Sequence, residues 1–414
     1  MRSSTGRWVS GDDFFGRDRE LQVLEARVRD CNHVLLTGQR RMGKTSIARE
    51  LGQQLEGKGW VFLFTDIEGA TCAEDVVASV AEAVHPVRSI SSRLATGMRR
   101  WISENVEEVS APDFGVKIRA GLNAGSWRNF GGKLLGECAT HDKPVLLVLD
   151  ELPIFLKRML SEPGGERRID EFLSWLRGAL QAVGSGSLSL IVSGSIGLRP
   201  LVHRLGIPDR INYLDSVRIG PWDRATSVEC FRRLAASYDL RVEDGVPDAV
   251  YDALGIGIPH QVQSFFARLR DFALMHGRGS VTVEDVVEAY EKELLGPRGQ
   301  SDLAHYETRL RDGLEDGNYS IAMEILAEAA TQGVFAPAAR SCLGQLYAKV
   351  LDNVPGRITN TLEILVHDGY LEDGEGGYRF PSRLLRDWWS ARFRDHHAPL
   401  RKRSADERWE GSLR

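Results

Sequence analysis

Residues 38–45 carry a pattern that is typical of phosphate-binding loops. They read Gly-Gln-Arg-Arg-Met-Gly-Lys-Thr, follow an apolar run at 34–36 and precede a helix-like segment. Glycines let the backbone wrap around phosphate oxygens, and the loop N–H groups with the helix N-terminus supply positive dipoles. We therefore expect a nucleotide to be bound along this loop by Gly38, Gln39, Arg40, Arg41, Met42, Gly43, Lys44, Thr45 and Ser46.

Four further roles follow from residue type and position. Lys44 is expected to reach the β- and γ-phosphates, and the hydroxyl of Thr45 is expected to be a ligand of Mg²⁺. An apolar run at 144–149 leads into two acids, Asp150 and Glu151. Because ligands bind at the carboxyl ends of parallel strands, Asp150 is predicted to hold Mg²⁺ and Glu151 to orient or deprotonate a water.

Composition restricts the class of protein. The chain has 414 residues, 42% hydrophobic and 27% charged, with a net charge of -5. No apolar run reaches about 18 residues, so we expect a cytoplasmic protein without a membrane span. The scattered cysteines favour reduced thiols over a disulfide framework or a zinc site. The negative charge gives no general attraction to nucleic acid.

Periodicity predicts a βα series in the first half of the chain. Strands are expected at 33–37, 60–66, 145–150, 189–193 and 215–219, with helices between them. This alternation predicts an α/β fold with a three-layer, five-stranded parallel sheet in a domain covering 1–220. The alternating apolar and polar residues at 116–122 predict a small hairpin inserted near 110–125.

The second half is expected to be mostly helical. Patterns at 226–238, 248–254, 259–275 and 282–295 predict an all-α lid domain over 221–297, and the last of these helices begins with a capping box at Thr282. Residues 297–301 are interpreted as a linker. Helices at 320–330, 337–350 and 358–368, followed by glycine-bounded apolar runs, predict a winged helix-turn-helix over 301–395. The charged tail at 396–414 is expected to be frayed.

Several short motifs together resemble one known group. They are the Phe-Phe-Gly-Arg-Asp-Arg-Glu-Leu segment at 14–21, the phosphate loop, Leu-Asp-Glu-Leu-Pro at 149–153, Ser-Gly-Ser at 193–195 and Gly-Ile-Pro at 257–259. This set resembles the STAND-type archaeal and bacterial ATPases of the AAA+ superfamily. The segments at 378–380 and 384–389 are similar to the winged-helix end of the same group. The resemblance implies a P-loop AAA+ fold that binds ATP with Mg²⁺.

The resemblance assigns further site residues. It places Phe15, Gly16 and Arg17 beside the adenine, although the bare sequence is equally typical of a helix start capped by Asp18. It makes Ser193 the first sensor of the γ-phosphate and water, where the alternative is a hydroxyl satisfied in a turn. It makes Pro259 part of the turn through which the lid meets the nucleotide, where the alternative is a common helix start.

Two departures from the family pattern bear on mechanism. Typical AAA+ motors carry an arginine where this chain has His260, which favours a switch over a processive motor. Arg199, Arg204 and Arg210 follow the sensor strand, where the family presents an arginine finger to a neighbouring subunit. We favour Arg210 because it follows Pro208 and Asp209, although each is also typical of an exposed or ion-paired arginine.

Three functions are compatible with these observations. The first is a regulatory ATPase whose nucleotide state changes assembly or a partner's activity; the second is an ATP-dependent DNA-binding regulator or replication-type loader; the third is a nucleotide-holding scaffold without turnover. Residues 301–395 carry ten Lys/Arg against fifteen Asp/Glu. Because DNA phosphates require the opposite charge, a protein partner or self-association is favoured over DNA.

Overall fold

The computed structural model describes residues 1–87, 89–90, 114–184, 187–194 and 197–403. The chain consists of two compact units. One is Trp8–Gly220, and the other combines Met1–Arg7 with the chain from Pro221 onward.

A five-stranded parallel sheet forms the centre of the first unit, within the residues described. The strands are β1 Val34–Thr37, β2 Val61–Asp66, β3 Val145–Asp150, β4 Leu188–Gly194 and β5 Asp215–Arg218, in the order β2-β3-β4-β1-β5. β3 pairs with β2 and β4, and β1 pairs with β4 and β5. The predicted α/β fold is therefore confirmed, with strand bounds within about one residue of those expected.

Helices cover this sheet on both faces. They are α1 Asp18–Arg29, α2 Lys44–Gly57, α3 Ala73–Val84, α4 Phe114–Gly121, α5 Trp127–Ala139, α6 Leu152–Leu160, α7 Gly165–Ala182 and α8 Leu198–Arg204. Every residue of β3 is buried. Val145, Leu147 and Leu149 belong to one apolar cluster with α3 and α5 to α8, whereas Leu146 and Val148 are buried outside that cluster. Since alternate residues face opposite sides of a strand, the arrangement is three-layered.

The predicted hairpin insertion is wrong over its described part, because α4 is a helix. Ile118 is fully buried and Leu122 nearly so, whereas Val116 is 71% exposed. The alternating pattern that suggested a strand also contains this i, i+4 pair, and over seven residues the two periods are hard to distinguish. Residues 110–113 of the predicted hairpin lie outside the described residues.

The second unit begins with the helices predicted for the lid. They are α9 Arg224–Ser237, α10 Val246–Leu254, α11 Pro259–Met275 and α12 Val283–Ala289, followed by a π-helical turn at Tyr290–Leu294. Asp223 caps α9 through the N–H of Thr226. Thr282 and Asp285 form the predicted capping box at the start of α12, with side-chain to backbone bonds in both directions.

The segment interpreted as a linker is instead helical. α13 extends over Pro297–Gly313, and Pro297 lies in its first turn. Proline is favoured at the first position of a helix because its missing N–H would have no intrahelical partner there. The Pro-Arg-Gly-Gln-Ser sequence that suggested a loop is therefore also a suitable helix start.

The remaining elements of the second unit follow the predicted order. Helices α14 Asp316–Gln332, α15 Pro337–Tyr347 and α16 Val354–His367 precede the antiparallel strands β6 Glu372–Gly374 and β7 Gly377–Arg379, and α17 Arg383–Phe393 comes last. Phe335 adds an antiparallel bridge to Tyr378. Trp389 is fully buried, so the tryptophan pair belongs to the core.

The C-terminal tail is not frayed over residues 396–403. The ring of His397 donates through Nε2 to the carboxylate of Glu328 at 2.7 Å, and the N–H of Leu400 donates to the same carboxylate at 3.0 Å. Arg403 forms two bonds with Glu324. Sequence analysis missed this packing because charged residues have no apolar period, whereas here their charges are paired.

The first seven residues belong to the second unit, whereas sequence analysis assigned them to the phosphate-loop domain. The N–H of Ser3 donates to the hydroxyl of Tyr238 and that of Ser4 to Gln263, while the carbonyl of Thr5 contacts the ring of His260. None of the helices in the described part of the chain has the length and apolar character needed to cross a membrane.

Candidate active site

The phosphate loop begins where β1 ends and finishes in the first turn of α2. Gly38 has a φ of 153°, and a Cβ there would lie 2.5 Å from the carbonyl oxygen of Ile219. Gly43 has a φ of 89°, in the left-handed region, directly before α2 begins. The first glycine of the motif is therefore required by its neighbour and the second by its backbone conformation.

The side chain of Lys44 reaches back to the start of the phosphate loop. Its Nζ donates to the carbonyl oxygens of Gly38 at 2.9 Å and Gln39 at 3.0 Å. The residue is 5% exposed, so its charge is held among loop atoms and away from bulk water. A buried ammonium in a ring of backbone dipoles is suited to bind phosphate oxygens.

Two elements bring hydroxyl groups onto the carboxylate at the end of β3. Thr45, in the first turn of α2, donates through Oγ1 to Oδ2 of Asp150 at 2.7 Å. Ser193, near the end of β4, donates through Oγ to Oδ1 of the same residue. Asp150 is 3% exposed and Ser193 is fully buried. The residues predicted separately as metal ligand, metal holder and sensor therefore form one hydrogen-bonded group.

The donor set of this group fits a magnesium ion. Mg²⁺ prefers hard oxygen ligands and is usually held by one or two carboxylates or hydroxyls together with substrate phosphates. Thr45 and Asp150 supply such oxygens next to the phosphate loop. The residues present are therefore suited to the predicted ion.

Glu151 has an unusual backbone conformation. Its φ of 62° and ψ of 35° are left-handed, and it occupies the N-cap position of α6 without a side-chain capping bond. For a residue with a Cβ this conformation costs on the order of 1 kcal/mol, and such strain is common at functional sites. Its position, directly after the strand that ends in Asp150, is the one predicted for a water-orienting acid.

Gly194 allows the end of β4 to pack closely against the start of α6, directly after Glu151. A Cβ on Gly194 would lie 2.2 Å from Cδ of Pro153, the second residue of α6. Only glycine permits this contact between the end of β4 and the start of α6. The contact lies next in sequence to Ser193 on β4 and close in sequence to Glu151 before α6. Sequence analysis noted Gly194 within a motif but not this packing role.

A family comparison agrees with this geometry. Residues 13–155 match the family described as AAA ATPase domain. Over this segment the chain is similar to that family. No curated protein matches the chain.

Solved structures extend the fold comparison over most of the chain. A Walker-type ATPase of Pyrococcus abyssi is 17% identical, with a TM-score of 0.63, and the alignment covers 94% of this chain and 99% of that one. The ORC2 protein of Aeropyrum pernix, solved in complexes with ADPNP and ADP, is 13% identical, with a TM-score of 0.57 and coverages of 94% and 98%. At these identities the comparison shows the fold alone.

Arg17 lies next to the phosphate loop. It is 5% exposed, and its Nη2 donates to the carbonyl oxygens of Met42 at 3.2 Å and Gly220 at 2.7 Å. Its Nη1 bonds Glu20 at 2.6 Å. Burial lowers the pKa of this guanidinium, and the bond to Glu20 opposes the shift. Gly16 has a φ of 71°. The adenine contacts of Phe15, Gly16 and Arg17 stay predictions.

The candidate finger Arg210 already has acidic partners. Its Nε contacts Asp170 and its Nη1 contacts Asp209, both at 2.6 Å. Asp170 in particular raises the pKa of Arg210 through a hydrogen bond. Arg199 donates to the hydroxyl of Ser216 at 2.9 Å, and Arg204 is exposed. Use of Arg210 on a neighbouring subunit would require it to leave two carboxylates, so the assignment stays a prediction.

Pro259 begins α11 in the second unit. The preceding Gly257 accepts a bond of 2.8 Å from the N–H of Trp222. A Cβ on Gly257 would lie 2.3 Å from the carbonyl oxygen of Trp222 and 2.3 Å from Oγ of Ser227. The glycine of the Gly-x-Pro motif is therefore required by close packing, and the proposed nucleotide contact of Pro259 stays a prediction.

Sequence analysis missed the residues that hold the N-terminal segment on α2. The N–H of Val9 donates to Oγ of Ser46 at 3.1 Å, and that of Gly11 donates to the carboxylate of Glu50 at 2.7 Å. The hydroxyl of Ser46, predicted to bind phosphate, therefore also positions this segment. Nothing in the local sequence of residues 8–11 indicates the contact.

Arg49 is a second missed residue near the acids. Its guanidinium lies 4.2 Å from the ring centre of Trp8 and 3.7 Å from that of Phe64. Burial lowers the pKa of Arg49, and the charges of Asp150 and Asp66 oppose the shift. Its spacing of four residues from Thr45 on α2 was the available clue, because i and i+4 share a helix face.

Proposed function

We propose that this protein is a regulatory ATPase that binds ATP with Mg²⁺, hydrolyses it slowly and uses the nucleotide state as a switch. The observation that carries the proposal is the hydrogen-bonded group of Thr45, Asp150 and Ser193 beside the Lys44 loop. Such a group has the parts that in-line attack of water on a γ-phosphate requires.

The phosphate loop supplies the binding energy in this proposal. Loop N–H groups and the N-terminus of α2 bind the phosphate oxygens, and Lys44 exchanges loop carbonyls for the β- and γ-phosphates. Because the ammonium is already buried, this exchange does not require it to leave water. Preformed positive groups of this kind stabilise the charge that spreads over the phosphoryl oxygens in the transition state.

Thr45 and Asp150 hold the metal in this proposal. A bound Mg²⁺ would neutralise phosphate charge and help to orient the terminal phosphate. Asp150 contributes a buried negative charge fixed by hydroxyl groups, so its carboxylate needs little reorganisation to serve as a ligand. Ser193 keeps one of its oxygens in place.

Glu151 orients the attacking water and accepts its proton in this proposal. The left-handed backbone turns the chain at the strand end, and Pro153 and Gly194 pack this turn in place. The location of this acid on a packed turn directly after Asp150 supports its proposed role as general base. The adenine specificity rests on the family resemblance at Phe15 and Gly16.

Slow turnover and self-association follow from the arginines. The best candidate finger, Arg210, is bonded to Asp170 and Asp209. A finger supplied in trans accelerates hydrolysis by about 10³- to 10⁵-fold in other phosphohydrolases. We therefore propose that an isolated chain hydrolyses ATP slowly and that assembly raises the rate.

The C-terminal winged helix is proposed to contact protein. Arg357 on α16 donates to Asn318 at 2.9 Å and to the carbonyl of Asp352 at 3.1 Å. Arg379 on β7 bonds Glu372 at 2.8 Å. Arginines already bonded within an acidic domain are poorly suited to DNA phosphates.

Steady-state ATPase activity across a range of protein concentration tests this function. Wild type, Lys44→Ala and Glu151→Gln are compared with and without duplex DNA, together with ATP binding. We expect Lys44→Ala to lose ATP binding while folding normally, and Glu151→Gln to bind ATP without turning it over.

The outcomes separate the three functions. Specific activity that rises with concentration and ignores DNA supports the assembling switch. Stimulation by DNA would replace it with the DNA-binding regulator or loader. Turnover no higher than that of Glu151→Gln, or normal ATP binding by Lys44→Ala, would contradict an ATPase that works through this loop.

A further inference from the structure

Arg17 connects two parts of the backbone that are far apart in sequence. One nitrogen, Nη2, donates to both the carbonyl of Met42 in the phosphate loop and the carbonyl of Gly220. Glu20 holds the other end of the guanidinium. Because both hydrogens of Nη2 are used, a displacement of either carbonyl changes the geometry available to the other.

Gly220 is the last residue of the unit Trp8–Gly220. The residue before it, Ile219, donates to the carbonyl of Thr37 at 2.8 Å and lies against Gly38. The last residues of this unit are therefore linked to the phosphate loop at two places. Ile219 contacts Gly38 directly, and Gly220 is connected to Met42 through Arg17.

The chain continues directly into the start of the other unit. Pro221 disfavours the α region for the preceding Gly220, which reduces the number of conformations open to the connection. Trp222 then donates its N–H to Gly257, two residues before Pro259 begins α11. A short path through hydrogen-bonded Gly220, Pro221 and hydrogen-bonded Trp222 thus leads from the phosphate loop to the Gly-Ile-Pro turn.

We propose that Arg17 is a positioning residue that transmits the state of the phosphate loop to the Gly-Ile-Pro turn through Gly220, Pro221 and Trp222. The inference rests on the proposed function, since it gives that ATPase its route from bound nucleotide to the lid. The role differs from adenine contact, which the resemblance alone implies for Arg17.

The physical argument depends on the shape of arginine. A guanidinium is planar and presents its N–H groups in fixed directions, so it couples two acceptors more rigidly than an ammonium does. In Arg17→Lys the charge is kept, but the side chain ends one bond short of the Nη2 position. The variant should therefore retain the electrostatic field at the loop and lose the bridge between the two carbonyls.

Hydrogen exchange measured by mass spectrometry tests this route in the full-length protein. In wild type we expect ADPNP with Mg²⁺ to slow amide exchange both at residues 38–46 and at residues 257–263. In Arg17→Lys at saturating ADPNP, protection at 38–46 should persist and the response at 257–263 should be lost. We expect its ADPNP affinity to fall by about tenfold or less, as for one weakened charge-assisted bond.

Two further variants sharpen the experiment. Arg27→Lys changes an exposed arginine of the same helix, which pairs with Asp215 at 2.9 Å, and should respond as wild type does. Glu20→Gln weakens the hold on Arg17 without touching either carbonyl and should reduce the response at 257–263 in part. It also keeps the test available if Arg17→Lys does not fold.

The possible failures are distinguishable. Absence of protection at 38–46 in wild type would overturn the proposed function itself. Protection there without a response at 257–263, or an Arg17→Lys response equal to that of wild type, would overturn only the role of Arg17. Simultaneous loss of both responses at saturating ADPNP would show that Arg17 shapes the loop and transmits nothing.

Discussion

Asp150 and Glu328 are equally buried carboxylates in different units, and they have different surroundings. Each is 3% exposed. Asp150 uses both oxygens, one for the hydroxyl of Thr45 and one for that of Ser193. Glu328 uses a single oxygen, Oε2, for both the ring of His397 and the N–H of Leu400.

The difference shows that burial of a carboxylate does not by itself identify a site. Hydroxyl partners have lone pairs of their own, so the group around Asp150 can rearrange around a cation without leaving a polar atom unsatisfied. The partners of Glu328 belong to one segment, which Arg403 also fastens to Glu324. Glu328 therefore holds the C-terminal residues on α14. The hydroxyl partners of Asp150 could instead be replaced by a cation.

The largest expected effect is on catalysis at Asp150. Asp150→Asn keeps the shape and leaves an amide that can bond both hydroxyls, but it removes the negative charge. We expect ATPase activity to fall by about 10²-fold or more, with the free energy of unfolding changed by less than about 1 kcal/mol. Turnover assays and urea unfolding measure the two effects, and a large loss of stability with normal turnover would reverse the comparison.

Glu328→Ala should show the opposite behaviour. It leaves His397 and Leu400 without their acceptor, so we expect the free energy of unfolding to fall by about 2–3 kcal/mol with ATPase activity per folded molecule unchanged. Glu328→Gln is the matched control, because its amide oxygen can still accept both bonds, and it should lose less. Equal losses in the two variants would mean that the charge, not the hydrogen bonds, stabilises the segment.

The expected change in stability at Glu151 is smaller and is a gain. Glycine adopts left-handed backbone conformations without strain, so Glu151→Gly should raise the free energy of unfolding by about 1 kcal/mol. It should also abolish turnover, since the proposed base is removed. Glu151→Gln keeps the Cβ and is the control that loses turnover without the gain. A Glu151→Gly variant less stable than Glu151→Gln would show that the side chain itself supports the fold.

The smallest effect concerns Asp75, a partly exposed carboxylate. Burial raises its pKa, but hydrogen bonds from Arg119 and from the N–H of Thr71 outweigh burial and lower the pKa from 3.8 to about 2. The resulting stabilisation is present above the unfolded pKa and is lost as the pH falls towards the folded value.

Acidification should therefore destabilise wild type more than Asp75→Asn. After allowance for solvent screening, we expect an additional loss of up to about 1 kcal/mol between about pH 5 and pH 2. Urea unfolding at several pH values measures the difference. Parallel pH profiles for wild type and Asp75→Asn would contradict the lowered pKa.

The strands and the central acids were predictable from local sequence. β3 is an unbroken apolar run, which indicates a strand buried on both faces, and Gly43 with Lys44 and Thr45 has a spacing that few other structures require. The lid helices were likewise predicted, because Thr282 and Pro259 are strong helix-start signals. These features depend on neighbours within a few residues.

The errors occurred where two local interpretations fit the same residues. The pattern of apolar residues around Ile118 and Leu122 is compatible with both a strand and a helix. The helix is the conformation that buries both side chains in the apolar cluster that includes α3. Pro297 suits both a linker and a first helical turn. The charged residues after His396 suit a frayed tail until Glu324 and Glu328 are present to pair with them.

The sequence by itself determined which chemistry is available, because the loop spacing, the two acids and the apolar strand runs are properties of adjacent residues. Only the tertiary structure decided how these parts are connected. Arg17 meets Met42 and Gly220, and Asp150 meets Thr45 and Ser193, through the order of strands in the sheet. These contacts join residues 25 to 203 positions apart and depend on the packing of whole elements, which no local pattern records.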